Sequence, residues 1–124
     1  TLNGWKQLFS DPGQKLTIRV SRGSDGIYRM ITSAGFGRIS GAQFIVENDL
    51  PEKIKNTTVL YMDQQGKAWL GTRKSGLFVL KPDGWVQYAG KEYLADNEIT
   101  EIFQDKKKNT WIINSKGISI FLSE

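Results

Sequence analysis

Two aspartates are the residues whose type and spacing first suggest chemistry. Asp63 and Asp105 each precede a tryptophan by six residues, and these tryptophans are Trp69 and Trp111. Paired carboxylates serve as acid and base in sugar-cleaving enzymes, and an indole offers a flat surface on which a sugar can stack. However, each aspartate stands at a turn, where its side chain can accept backbone N–H bonds, and each tryptophan is flanked by apolar residues. We therefore assign all four residues structural roles and expect no catalytic residue in this chain.

The composition excludes several other kinds of site. The 124 residues include no histidine and no cysteine, which rules out histidine triads, imidazole metal sites and thiolate chemistry within the sequence. We expect neither a metal site nor an organic cofactor. The net charge of +4 is spread along the chain rather than clustered in a basic stripe, which argues against a nucleic-acid partner. The sequence also lacks an apolar stretch long enough to cross a membrane.

The aspartates and tryptophans belong to a repeat. The segment 63–72 recurs in weaker form at 105–114, so that Trp69 and Trp111 are 42 residues apart. A third copy lies upstream and has Arg29 in the position of the tryptophan. A period of this size indicates a repeat architecture in which each unit packs against its neighbours. The structural positions of the motif are Asp63, Gly66, Trp69, Thr72, Asp105 and Trp111.

Each copy reads as a set of short strands. Apolar residues alternate over short runs between turn residues, which predicts hairpins and no substantial helix. Four strands per unit at a period of about 40 to 45 residues are typical of β-propeller blades. We predict an all-β fold of three four-stranded antiparallel sheets arranged side by side. The predicted strands are 16–20, 28–32, 38–40 and 42–46, then 58–62, 68–72, 77–80 and 85–88, and finally 99–103, 110–113 and 118–121.

The chain as a whole, 1–124, is thus expected to be a partial β-propeller. Its blades are predicted at 16–46, 57–88 and 98–122. The segment 1–9 is similar to the outer strand of the second blade, since Trp5 and Trp85 each follow a glycine and are 80 residues apart. We expect 1–9 to be the outer strand of a neighbouring blade or of the last one.

The middle copy supports a family resemblance. Its Asp63, Gly66, Trp69 and Thr72, followed by Gly76, resemble the two-component regulator propeller repeat. This resemblance implies the extracytoplasmic sensor of a bacterial hybrid two-component system, in many cases one that responds to carbohydrate. It also implies a periplasmic or extracytoplasmic location and a role in signal transduction without enzymatic activity. The alternatives are a segment of a propeller enzyme, either a lyase of the streptogramin type or a glycan-active one, and a protein-interaction scaffold.

A ligand of a propeller usually lies where the connections between blades and the turns between second and third strands meet. In this chain those segments offer amides, cations and one aromatic side chain, a mixture that suits a sugar or an anionic oligosaccharide. The candidates for ligand binding are Arg73, Lys74, Lys116, Asn48, Tyr93 and Asn97.

Three blades are too few to close a ring that usually has four to eight. Two apolar blade faces would then be left open, and open faces of this kind mark interfaces. We expect the partners to be the remaining blades of a longer chain, or a second copy that closes a six-bladed ring as a homodimer, with an oligosaccharide as a further ligand. In a closed ring Trp5–Phe9 should pair beside Ile118–Phe121.

Overall fold

Eleven strands form three separate antiparallel sheets in the computed structural model, which describes residues 3–123. The first sheet contains β1 (Arg19–Arg22), β2 (Tyr28–Thr32), β3 (Gly35–Ser40) and β4 (Gln43–Asn48). The second contains β5 (Thr57–Met62), β6 (Ala68–Thr72), β7 (Leu77–Lys81) and β8 (Gly84–Tyr88). The third contains β9 (Glu101–Gln104), β10 (Thr110–Asn114) and β11 (Gly117–Phe121). No helix in the described residues is long and apolar enough to cross a membrane.

The all-β fold of side-by-side sheets is confirmed, with some strand ends displaced from their predicted positions. The strand predicted at 16–20 begins at Arg19, because the N–H groups of Lys15 and Leu16 donate to the Ser33 hydroxyl at 2.7 and 2.9 Å instead of to a strand. The strand predicted at 38–40 starts earlier, at Gly35, which pairs directly with Thr32 across a tight hairpin. The third sheet contains the three strands predicted for it, but within residues 3–123 it lacks the fourth strand of the predicted four-stranded sheet.

The amino-terminal segment lies against the first sheet. The rings of Phe9 and Phe44 meet edge to face with centroids 5.9 Å apart, and Leu8 lines the same apolar surface. Residues 1–2 of the predicted outer strand 1–9 lie outside the described residues. The pairing of Trp5–Phe9 with Ile118–Phe121 in a closed ring stays a prediction.

The three sheets are held together by two apolar cores. Side chains alternate along a strand, so Trp69 and Leu70 point to opposite faces of the second sheet and enter different cores. The core between the first and second sheets consists of Ile31, Phe36, Ile54, Leu60, Met62, Ala68, Leu70 and Phe78. The core between the second and third consists of Trp69, Leu77, Val79, Leu94, Ile99, Ile102 and Ile112. The first strands of the three sheets, β1, β5 and β9, lie next to one another.

Gly71 allows the second and third sheets to approach closely. A Cβ atom at this position would lie 2.6 Å from Cγ2 of Ile99 and 2.8 Å from Cγ1 of Val59, which is closer than real Cβ atoms come. The repeat places Ile113 in the same position of the third sheet. Glycine is thus required by the side chains of Ile99 and Val59 and not by the conformation of the strand itself.

Candidate functional site

The motif aspartate of the second sheet organises a hairpin turn. Asp63 Oδ1 accepts the backbone N–H groups of Gln65 and Lys67 at 2.9 and 2.8 Å, and Oδ2 accepts the indole N–H of Trp69 at 2.8 Å. Gly66 completes the turn with φ +83°, a left-handed conformation that glycine adopts without steric cost. These three hydrogen-bond donors to the carboxylate therefore all belong to the turn or to Trp69.

The third sheet repeats the same turn. Asp105 accepts the N–H groups of Lys107 and Asn109 at 2.9 and 3.0 Å and the Trp111 indole N–H at 3.0 Å. Lys108 takes the position of the turn glycine and adopts φ +67°. The two tryptophans make equivalent hydrogen bonds, but Trp69 is buried whereas Trp111 is half-buried, because no sheet covers the outer face of the third sheet within the described residues.

The first sheet builds the turn with different residues. Gly23 stands where the other copies have aspartate, yet its N–H still donates to the Ile27 carbonyl at 2.9 Å, as the N–H of Asp63 does to Lys67. The carboxylate comes instead from Asp25, whose Oδ1 lies 2.6 Å from where a Cβ on Gly23 would be. Arg29 replaces the tryptophan and donates to both Asp25 oxygens, at 3.3 and 3.2 Å. An ion pair thus occupies the place of the Asp–Trp hydrogen bond.

These bonds predict a pH dependence of stability. The Trp111 indole bond, together with the backbone bonds of Asn109 and Lys107, holds the pKa of Asp105 below its usual value of 3.8. A carboxyl whose folded-state pKa is lowered stabilises the fold above its unfolded pKa, and this contribution is lost as the pH falls through the folded-state pKa. Urea titrations at about pH 5 and about pH 3 give the decrease in the free energy of unfolding on acidification. This decrease should be smaller for Asp105→Asn than for the unchanged chain. An equal decrease in the variant would contradict a contribution of Asp105 to the pH dependence of stability.

The opposite ends of the same strands hold the connections between sheets. The Thr72 hydroxyl donates to the Gly76 carbonyl at 2.8 Å and accepts the Ser75 N–H at 3.0 Å, which closes the turn between β6 and β7. In the third sheet the Asn114 side chain donates to the Asp96 carbonyl at 3.0 Å and accepts the N–H of Lys116 at 2.8 Å. These side chains fix the turns that carry the candidate ligand-binding cations.

Arg73 and Lys74 line a polar cleft between the first and second sheets, which we call the first cleft. Its volume is about 280 Å³, and its other lining residues are Thr17, Arg19, Asn56, Thr57 and Thr58. The Arg19 guanidinium is half-buried and donates through Nε and Nη2 to the Thr57 carbonyl, at 3.1 and 2.8 Å. Three cationic side chains and no acidic one therefore line the first cleft.

Lys116 and Asn97 lie together in a depression between the connection 90–97 and the turn after β10, which we call the second cleft and which has a volume of about 230 Å³. Here the ammonium group of Lys116 pairs with Asp96 at 3.3 Å. The Asn97 side-chain oxygen accepts the Gly90 N–H at 2.8 Å, and its backbone carbonyl accepts the Gly76 N–H at 3.0 Å. Both side chains thus have partners within the protein.

The remaining two candidates lie apart from these clefts. Tyr93 packs edge to face on Tyr88 with ring centroids 5.2 Å apart, and its carbonyl accepts the Ser119 hydroxyl at 2.6 Å. Asn48 ends β4 opposite Phe36 and is exposed. The six predicted residues consequently do not form one site, and their part in ligand binding stays a prediction.

Five of the seven residues that line the first cleft were not predicted as candidates, and two of these, Arg19 and Thr58, have polar groups that could bind a ligand. Arg19 was assigned to a strand without a role, since its place beside Thr57 depends on how β1 lies against β5. Thr58 carries a buried hydroxyl that has no hydrogen-bond partner in residues 3–123. Within the same range no cluster of acidic residues could hold a metal ion.

Solved structures with a similar arrangement of sheets include extracellular domains of two-component systems and an enzyme. The extracellular domain of a proposed hybrid two-component system from B. thetaiotaomicron is 21% identical with a TM-score of 0.60, over 82% of this chain and 16% of that one. A second such domain from this organism is 16% identical with a TM-score of 0.59, over 87% and 17% of the two chains. A catalytically inactive virginiamycin B lyase from Staphylococcus aureus, with quinupristin, is 13% identical with a TM-score of 0.65, over 93% and 44%.

These similarities identify the fold. No protein-family model matches the sequence, and no curated protein matches it. The chain spans less than a fifth of the length of the two extracellular domains and less than half that of the lyase. The three sheets are accordingly blades of a β-propeller, and the chain is similar in fold to part of each of these larger domains.

Proposed function

We propose that this chain is a ligand-binding segment of the extracytoplasmic sensor propeller of a two-component regulatory system, and that its ligand is a carbohydrate. The observation that supports it most is the likeness to two extracellular domains of hybrid two-component systems, together with the Asp–Gly–Trp motif of the second blade. The motif carboxylates are committed to turns, so we assign no catalytic role to them.

The ends of the blades supply the ligand-binding surface in this proposal. The turns after β6 and β10 present Arg73, Lys74 and Lys116, and each turn is fixed by a side chain of the strand before it. Rigid turns bearing cations and amides are suited to the hydroxyl and acidic groups of sugars, since little freedom is lost on binding. The remaining surface would come from further blades, either of a longer chain or of a second copy.

Thermal unfolding of the chain with a panel of neutral and acidic oligosaccharides tests this proposal. A ligand that binds only the folded state stabilises it by RT ln(1 + L/Kd), where L is the free ligand concentration, so the melting temperature continues to rise as the ligand concentration increases. We expect at least one oligosaccharide to raise it in a concentration-dependent way, while the panel leaves an unrelated β-protein unchanged. No stabilisation by any member at concentrations near 10 mM, about the range of weak binding, would count against a sensor of carbohydrate.

A propeller lyase is the second candidate, favoured by the TM-score of 0.65 with virginiamycin B lyase. This chain has no histidine, so a lyase would need its acid and base from residues of other types or from other blades. Chromatography of quinupristin incubated with the chain tests whether its own residues catalyse this reaction. Conversion at a rate proportional to protein concentration would favour the lyase, and an unchanged antibiotic would exclude catalysis by the residues of this chain alone.

A further inference from the structure

We propose that the first cleft binds the anionic group of an acidic sugar, either a carboxylate or a sulfate ester. This inference rests on the proposed sensor function and adds the class of ligand and the place at which its charge is held. It is carried by the charges that line the first cleft and by the absence of acidic partners for them in the described residues.

The charge of the first cleft is not neutralised by the protein. The ion pairs of residues 3–123 are Arg29 with Asp25, Arg38 with Glu47, and Lys116 with Asp96. None of them includes Arg19, Arg73 or Lys74. Positive side chains that converge without an acidic partner attract anions, and an arginine binds a carboxylate or a sulfate through parallel N–H bonds.

Arg19 is held ready for such a ligand. A guanidinium has five N–H bonds, and two of those of Arg19 donate to the Thr57 carbonyl. The other three have no acceptor among the described residues. Because the side chain is half-buried and fixed by a backbone carbonyl, it loses little freedom when it binds an anion.

Thr58 is a second group in the first cleft that lacks a partner. Its hydroxyl is buried without a hydrogen bond to any of the described residues, a condition that costs free energy. A volume of about 280 Å³ is slightly below the range of ligand pockets, which begins at about 300 Å³. The first cleft therefore suits one charged group and the sugar ring that carries it.

The second cleft provides a matched control. Lys116 follows Lys74 by one repeat and stands in the corresponding turn, but Asp96 already neutralises it at 3.3 Å. The two clefts thus differ in their charge balance while they share their place at the ends of consecutive blades. Anion binding should depend on Arg73 and Lys74 and not on Lys116.

Three probes that differ only at C6 of one sugar test the proposal: galacturonate, galactose 6-sulfate and galactose. Their dissociation constants for the 124-residue chain are measured by NMR titration. We expect at least one acidic probe to bind about tenfold or more tightly than galactose, as a charge-assisted hydrogen bond predicts, and to weaken between about 50 and about 500 mM salt. The acidic probe that binds more tightly identifies the carboxylate or the sulfate ester as the preferred group.

The variants locate the binding. Arg73→Gln and Lys74→Gln change exposed side chains and should each weaken the acidic probe about tenfold, whereas Lys116→Gln should stay within about twofold. Thr58→Val should raise the melting temperature of the free chain, because it removes the unpaired hydroxyl, and should weaken the acidic probe. Equal affinities for all three probes, or an equal effect of Lys116→Gln, would overturn the proposal.

Different results would contradict the anion site in the first cleft and the proposed sensor function. Stabilisation by a neutral oligosaccharide that Arg73→Gln leaves unchanged would keep the sensor function and reject the anion site. Binding of an acidic probe that depends on Arg73, with no stabilisation by any oligosaccharide, would support the first cleft and count against the sensor.

Discussion

Replacing Asp63 with alanine should lower the free energy of unfolding by about 3–5 kcal/mol, because three hydrogen bonds to one buried carboxylate are lost together. The indole N–H of Trp69 would be left buried without its acceptor, and the N–H groups of Gln65 and Lys67 would lose theirs. Asp63 is only 2% exposed, so water cannot readily take its place. The loss is measured by urea titration followed through tryptophan fluorescence.

Two further variants make this prediction specific. Asp63→Asn keeps one acceptor oxygen but replaces the other with a donor, so its loss should be intermediate. Asp83→Ala removes an exposed turn aspartate and should change stability by no more than about 0.5 kcal/mol. A loss below about 1 kcal/mol for Asp63→Ala would show that the turn forms without its carboxylate.

Replacing Trp69 with alanine should cost about 3–5 kcal/mol, the usual result of removing a fully buried large aromatic side chain. Its indole is 2% exposed, lies in the core between the second and third sheets, and meets Phe121 edge to face with ring centroids 5.5 Å apart. The cavity left behind would be closed on both sides by sheets and could not collapse easily. Urea titration of the variant gives the loss directly.

Trp111 is the matched comparison within the same chain. It makes the same bond to its aspartate, but its ring stacks on Phe103 at 5.7 Å on a face that no sheet covers in the described residues. Trp111→Ala should therefore lower the free energy of unfolding by less than half as much as Trp69→Ala. This expectation applies to the monomer, which light scattering identifies. Equal losses would mean that another copy or segment covers this face in solution.

The sequence predicted the hairpins well because their spacing has a geometrical cause. Tyr61 and Trp69 are directly paired across β5 and β6, and Asp63 lies two residues beyond Tyr61 on the same side of the strand. A separation of six residues thus brings the indole diagonally within reach of the carboxylate. The recurrence of the spacing at Asp105 and Trp111 was enough to place the third hairpin.

The first cleft could not be predicted in the same way. Arg73 and Lys74 were found because turns between second and third strands are recognisable, but Arg19 lies inside a strand whose pattern resembles that of its neighbours. Its position beside Thr57 follows from the packing of β1 against β5, which no local pattern encodes. The candidate residues Tyr93 and Asn48 were separated from the others for the same reason, since burial and register decide where each connection lies.

The turn of the first blade has Asp25 and Arg29 in place of the Asp–Trp pair, and this difference limits the mutations that the turn can accept. The carboxylate of Asp25 fills the space that a side chain on Gly23 would need, at 2.6 Å from its Cβ. Restoring aspartate at position 23 alone would bring two carboxylates together beside Arg29, and removing Asp25 alone would leave the arginine without its partner. Each single step is unfavourable although both complete turns are stable, so the two positions are epistatic. The first blade could therefore acquire the Asp–Trp motif only by several coordinated substitutions.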